Sequence, residues 1–223
     1  SDPDGDLVGV EYYVNGKAVG QPKERLKFPN DPQLQDGERI TITDENGTAL
    51  EFTFFADAGA ATGVLDATAV ETLYEKLLGR EVTPSETEVS NWLASGSSYS
   101  EMVDAFYASS EFKNWAKTSG EAIQVPIGAT ATETRDYLVT AINAAGLAGV
   151  SAVADAVDET AILLAMNNGS LGALNASNSP SLQKTWIPSV LRESTDNPEW
   201  YPFLQKWSPG DPGTYTIFAV TID

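Results

Sequence analysis

Apolar side chains recur along these 223 residues in two rhythms, and each predicts its own kind of element. Runs of β-branched and aromatic residues with period two read as strands. They are Leu7–Val14, Ile40–Thr43, Leu50–Phe55, Ile123–Ile127, Val150–Ala154 and Thr160–Ala165. A last run, Thr214–Asp223, places Tyr215, Ile217 and Ala219 on one face and Phe218, Val220 and Ile222 on the other. Apolar groups on both faces predict a long strand of a sandwich. Asn15-Gly16 and Asn46-Gly47 fall between such runs and predict hairpin turns, since a type I′ turn needs two positive φ angles.

The second rhythm has a spacing of three and four. Val70, Leu73, Tyr74, Leu77 and Leu78 form an apolar stripe that Gly79 ends. Thr83-Pro84-Ser85-Glu86 predicts a cap with proline near the first helical position, followed by a helix carrying Val89, Trp92 and Leu93 that stops at Gly96. Ser98 or Ser100 caps the next, with Met102, Val103, Phe106 and Tyr107, and Ser109–Phe112 opens a short one with Trp115. From Thr132 to Ala145 the stripe is Leu138, Ala141, Ile142 and Ala145, with Thr130 or Thr132 as cap and Gly146 as stop. Between Asn167 and Pro202 the chain is loop-like. Trp186, Ile187, Val190 and Leu191 there read as either one amphipathic turn or an edge strand.

Composition narrows the chemistry. There are 32 Asp and Glu against 13 Lys and Arg, no His and no Cys, for a net charge of −19. That balance argues against nucleic acid bound by phosphate neutralisation and against an anionic membrane surface. Without His or Cys no Ser-His-Asp or Cys-His nucleophile system can form, and zinc, haem and iron–sulfur ligation by the usual side chains is absent. Oxygen chemistry remains: carboxylates that hold a hard cation such as calcium, or act as acid and base. No G-x-x-x-x-G-K-[ST] or G-x-G-x-x-G loop occurs, and no apolar run is long enough to insert in a membrane. The chain begins at Ser1 rather than Met, which suggests processing or excision from a longer one. An acidic, Lys-poor, Thr/Ser/Gly/Asn-rich composition points to a cell-surface or extracellular protein, or to a virion.

Three resemblances organise the elements. Asp2-Pro3-Asp4-Gly5-Asp6, with Val10-Glu11-Tyr12-Tyr13-Val14-Asn15-Gly16, resembles the opening of a bacterial immunoglobulin-like domain. Trp207-Ser208-Pro209, Pro212–Thr216 and Ala219–Asp223 resemble its closing strands. Ile40–Phe54 followed by Val125–Asn143 resembles a repeated module of phage virion and giant bacterial surface proteins, in which V-x-I-G-A-T-A-x-E-T leads to A-I-N. Leu73-Tyr74, Leu77–Arg80, Trp92-Leu93, Gly96, Phe106, Ser109 and Glu111-Phe112 resemble an uncharacterised helical domain of bacterial secreted proteins. That domain often accompanies haemolysin-type calcium-binding repeats and is similar to the phycobilisome linker domain. Val82–Ser85 stands where that family usually has Asp and Gly.

Together they imply a mixed, mainly β chain: an immunoglobulin-like β-sandwich with a nested α+β insert and a small helical bundle. The expected units are 1–30 with 198–223 (the sandwich), 38–64 with 120–180 (the α+β insert) and 65–119 (the helices). Surface loops tolerate such insertions when the insert's ends lie close together.

Each candidate site has a plainer alternative. Asp2, Asp4 and Asp6 alternate around Gly5 and could wrap a calcium ion at a domain junction; the alternative is a solvated turn, and the closing Glu of an EF-hand loop is missing. Asp44, Glu45 and Asn46 are a second calcium candidate, or simple hairpin-turn chemistry. Arg80 is either a partner-recognition residue or a cation at a helix C-terminus. Tyr74, Trp92, Phe106, Phe112 and Trp115 are either a ligand-binding cluster or core packing. Trp200, Tyr201 and Trp207 suggest a sugar platform or interdomain packing. The expected function is a non-enzymatic structural or adhesive module of an extracellular multidomain bacterial protein. Its partners would be other copies or neighbouring domains of the same surface assembly. The alternatives are a phage virion component (fibre, decoration or tail appendage) and a carbohydrate-binding module. Apart from calcium, no cofactor is expected.

Overall fold

The computed structural model describes residues 9–14, 17–18, 23–29, 34–83, 86–156, 158–166, 174–187, 190–191, 204–205 and 217–222. It is a mixed structure in which helix and strand take similar shares of the described residues, rather than one that is mainly strand.

Two four-stranded sheets and one helix form the centre. The first sheet has the order β6-β5-β4-β9, from Ile123–Ile127, Ala49–Ala56, Arg39–Thr43 and Leu174–Asn175. Its hairpin β4–β5 turns at Asn46-Gly47, where Gly47 takes φ 81°, and its register sets Ile40 against Phe52 and Ile42 against Leu50. All of these but the half-buried Leu50 lie in the core. The β5–β6 pair is parallel, so the chain must cross over between the two strands.

Five helices make that crossover: α1 (Ala58–Thr62), α2 (Ala67–Leu78), α3 (Thr87–Ser95), α4 (Tyr99–Ala108) and α5 (Ser110–Thr118). Gly79 and Gly96 end α2 and α3 in left-handed conformations, and Ser98 forms a full capping box with Glu101. The expected cap on α3 is corrected. Glu86 is its N-cap residue and makes no side-chain cap. Glu86 Oε1 instead accepts from Thr83 N and Oγ1, at 3.1 and 3.3 Å. Residues 84 and 85 lie outside the described set.

Helix α6 (Ala131–Ala145) starts with a capping box of Thr130 and Glu133 and stops at left-handed Gly146. It packs on β6 on one side, on β7 (Val150–Ala154) and β8 (Ala161–Met166) on another, and on α4. Leu138, Ala141 and Ile142 are buried there, as their spacing predicts.

The second sheet has the order β10-β3-β8-β7, with β3 at Lys23–Lys27 and β10 at Gln183–Ile187. β10 answers the open reading of Trp186 and Ile187: the segment is an edge strand. β3 lies inside the sheet, paired antiparallel with both β8 and β10. Residues 23–27 are therefore hydrogen-bonded to β8, a strand of the expected α+β insert. Its sequence, Lys-Glu-Arg-Leu-Lys, has the polarity of a surface segment, yet Glu24, Leu26 and Phe28 point inward. Phe28 meets Phe54 of the other sheet edge-on at 6.1 Å. One buried apolar cluster runs from Leu26 through the five helices to Leu182, so the helical unit shares its core with both sheets.

β1 (Gly9–Val14) pairs with β13 (Ile217–Ile222) and with β2 (Lys17–Ala18), and β11 (Val190–Leu191) pairs with β12 (Leu204–Gln205). Sequence-distant ends thus meet in one sheet, with Gly9 opposite Ile222.

Candidate functional site

Arg80 follows the left-handed cap of α2, and that cap aims its side chain between α3 and α5. Its Nε donates to Glu111 Oε1 at 2.7 Å, and its Nη1 and Nη2 donate to the two oxygens of Glu88 at 2.8 and 3.1 Å. The guanidinium lies 4.4 Å from the centre of the Tyr74 ring. This forked bond holds the Glu88 carboxyl below its ordinary range, and the two carboxylates raise the guanidinium further. Tyr74 in turn accepts from Trp92 Nε1 at 3.2 Å, and burial pushes its hydroxyl up. Arg80 therefore ties three helices together.

The aromatic cluster divides. Tyr74, Phe106 and Phe112 are buried, with Tyr74–Phe106 and Trp92–Phe106 ring centres at 4.7 and 5.8 Å and planes inclined at 61° and 78°. These are core contacts. Trp92 and Trp115 are half-buried at the rim. Tyr99 and Tyr107 add buried hydroxyls. Tyr107 donates to the Gln124 carbonyl at 2.8 Å, joining α4 to β6. Burial, then the neighbouring Asp57 carboxylate, drives the Tyr99 hydroxyl well above its ordinary range.

Asp44 is part of the hairpin turn. Oδ1 accepts from the amides of Asn46 and Thr48 at 2.9 and 2.8 Å, and Oδ2 accepts from the amide of Ala148 at 3.1 Å. Desolvation would raise its pKa, but the amide bonds outweigh it and hold it below the ordinary value. Its lone pairs face backbone N–H groups, which is turn chemistry and not cation ligation. Asp2, Asp4 and Asp6, and likewise Trp200, Tyr201 and Trp207, lie outside the described residues. Among the described residues no group of three or more acidic side chains is placed to hold a metal ion.

Other polar residues the sequence reading passed over do comparable work. Glu24 Oε1 meets Lys184 Nζ at 2.7 Å while its Oε2 accepts from the Leu174 amide at 2.7 Å. Arg25 pairs with buried Asp155, and Lys27 Nζ with Asp158 at 2.8 Å. Glu38 accepts from the Gln35 and Ser181 amides and from the Ser181 hydroxyl. Asn143 on α6 uses both ends of its carboxamide on one residue of β7. Its Nδ2 donates to Ala152 O at 2.9 Å, and its Oδ1 accepts from Ala152 N at 3.0 Å. The signal for Asn143 was present in the A-I-N ending of the resemblance; for the β3 charges the only signal was their alternation.

Residues 52–116 match the family model of a domain of unknown function, DUF4214. The match runs from β5 through the five helices to α5, and so includes Arg80 and the aromatic cluster. No curated protein and no solved structure matches the chain.

Proposed function

We propose that this chain is a non-enzymatic structural or adhesive module of an extracellular multidomain bacterial protein, acting as a spacer and interaction unit beside other domains or copies. The observation that carries this reading is the use of its polar side chains. Arg80, Asp44, Glu24, Glu38 and Asn143 each tie two or more segments together. Polar groups committed to bonds between segments hold a fold in one arrangement, which is what a spacer needs.

The β1–β2–β13 sheet supports the finer part of the reading, an immunoglobulin-like sandwich interrupted by the α/β body. Gly9 and Ile222 lie side by side, so a chain continuing in both directions would carry the body out to one side. Calcium at Asp2, Asp4 and Asp6 would stiffen such a joint. Among the described residues no helix is long and apolar enough to cross a membrane, which fits a secreted location or a virion equally.

The test is immunolabelling of intact, unpermeabilised cells of the source organism with antibody to the purified chain. Label on intact cells or in the medium is expected. Label that appears only after lysis, and stays off virions, contradicts the reading.

A further inference from the structure

Asn-Gly occurs three times in the chain, at 15–16, 46–47 and 168–169, and only the second pair lies within the described residues. It forms the apex of the β4–β5 hairpin. The turn holds Asn46 by its backbone N–H, which donates to Asp44 Oδ1 at 2.9 Å, and leaves the residue exposed. Gly47 takes φ 81°, and a Cβ built there would meet nothing within 4 Å. The apex therefore stands clear of the rest of the body, open to water.

These conditions favour attack of the backbone on the side chain. A carboxamide is electrophilic at Cγ, and the next residue's nitrogen is the nearest nucleophile. A side chain on that residue obstructs the approach, and glycine has none. Gly47 N gives up its proton to solvent and attacks Asn46 Cγ. The Cγ–Nδ2 bond breaks, and Nδ2 takes a proton from solvent and leaves as ammonia. Water then opens the five-membered imide at either carbonyl. Opening at Cγ yields aspartate; opening at the main-chain carbonyl yields isoaspartate, whose backbone runs through Cβ and Cγ. In sum one water is consumed and one ammonia released.

Other asparagines are held back. The Asn143 carboxamide is bonded at both ends to Ala152, Asn175 Oδ1 accepts from Ser177 N at 2.9 Å, and an alanine follows each. At Asn46 the opposing contact is the bond from Gly47 N to the Asp44 carbonyl at 3.0 Å. A turn bond at an exposed apex opens readily.

The apex is also a joint. Asp44 Oδ1 accepts from the Asn46 and Thr48 amides at 2.9 and 2.8 Å, and its Oδ2 from the Ala148 amide at 3.1 Å. Glu45 N donates to the Ala148 carbonyl at 3.3 Å, and the Glu45 carboxylate lies where a Cβ on Gly149 would stand. Isoaspartate adds one backbone carbon between residues 46 and 47, so Asp44 Oδ1 can no longer hold both amides at this spacing. It also sets a new carboxylate beside Asp44 and Glu45. We propose that Asn46 is a site of spontaneous conversion to isoaspartate, which releases the hairpin apex from the loop between α6 and β7. The change is slow and one-way, needs no enzyme, and is independent of where the chain resides.

The test keeps the whole chain in warm neutral buffer for weeks, with tryptic digestion at intervals. Peptide 40–76 contains Asn46 as its sole asparagine. Exchange of NH₂ for OH is read by its mass, and isoaspartate by enzymatic methylation. First-order growth of the isoaspartate form is expected, faster in alkaline buffer. Asn46→Gln, which would need a six-membered ring, is expected to stay unmodified. In the aged chain, amide exchange at Ala148 and Thr48 is expected to be about tenfold faster, as for loss of one hydrogen bond. Peptide 40–76 unchanged after weeks overturns the proposal. So does conversion that leaves exchange at Ala148 and Thr48 as it was.

Discussion

Replacing Asn143 by alanine isolates the most specific contact in the body. Among the described residues the outer edge of β7 has no neighbouring strand, and Ala152, at 1% exposure, turns its N–H and C=O to that edge. The Asn143 carboxamide answers both, as a partner strand would. Each intramolecular hydrogen bond contributes about 0.5–1.5 kcal/mol net, so the pair contributes about 1–3. Alanine returns about 0.5 kcal/mol through better helix propensity. The side chain is exposed, so water can reach the vacated edge, which places the net loss near the lower half of the range, about 1.5 kcal/mol. With an m value of about 2–3 kcal/mol per molar urea, the midpoint falls by about 0.5–0.8 M. Urea unfolding at constant m, with amide exchange at Ala152, measures this. The opened edge is also uncharged from Val150 to Ala154 and leaves Val153 at 51% exposure, so the variant is expected to self-associate with concentration. Asn143→Asp keeps the acceptor but sets a carboxylate against the Ala152 carbonyl, and it is expected to be worse than alanine at neutral pH and to recover in acid. A midpoint within about 0.2 M of the parent, with a monomeric variant, refutes the reasoning.

Other perturbations read other joints. Gly59→Ala in α1 should destabilise by about 1–3 kcal/mol, because the new Cβ would stand 2.7 Å from Ala69 Cβ and 2.8 Å from the Tyr99 ring. Helix propensity alone predicts the opposite sign, so a rise in melting temperature rejects that packing. Tyr107→Phe removes the bond to the Gln124 carbonyl from a fully buried ring and is expected to cost about 1–2 kcal/mol; a neutral result means that α4 and β6 are not joined there. The hydrogen bond from Lys27, then that from Thr160, holds Asp158 at about 2, below the 3.8 of a free carboxyl. The folded pKa is the lower one, so this contribution is present above pH 4 and is lost as pH falls through about 2. Asp158→Asn should flatten the acid limb there by about 1 kcal/mol or less, since Lys27 is 43% exposed, and 1 M salt should shrink the difference. An unchanged acid limb contradicts the assignment.

What the sequence could disclose depended on whether one residue's job was local. Asn46-Gly47, Thr130 with Glu133, Ser98 with Glu101, and the stops at Gly79, Gly96 and Gly146 act within one turn, and their spacing announces them. Gly128 shows the limit: its amide donates to Thr134 Oγ1 at 2.9 Å and a Cβ would strike Glu133, so the G-A-T-A-x-E-T motif is a strand-to-helix turn written in full. β3 was passed over because a central strand is expected to be apolar. It succeeds because Glu24, Arg25 and Lys27 find partners at Lys184, Asp155 and Asp158, more than 125 positions away, which no local pattern reveals. The same distance hid the shared core. Helices that look like an insert in sequence are the crossover between two parallel strands, so their apolar faces had to meet the sheets. Arg80 carried two readings because its charge was visible and its partners, Glu88 and Glu111, were not.

A spacer must transmit position, which requires that the helical unit and the two sheets be one body. Native-state hydrogen exchange across a urea series measures this most directly. Amides of α2 and α4 should converge on the same opening free energy as those of β3 and β8, in one cooperative unit. If the α2 and α4 amides open in a separate transition at lower urea while β3 and β8 stay protected, the helices are an independent appendage and the account of a single rigid module is wrong.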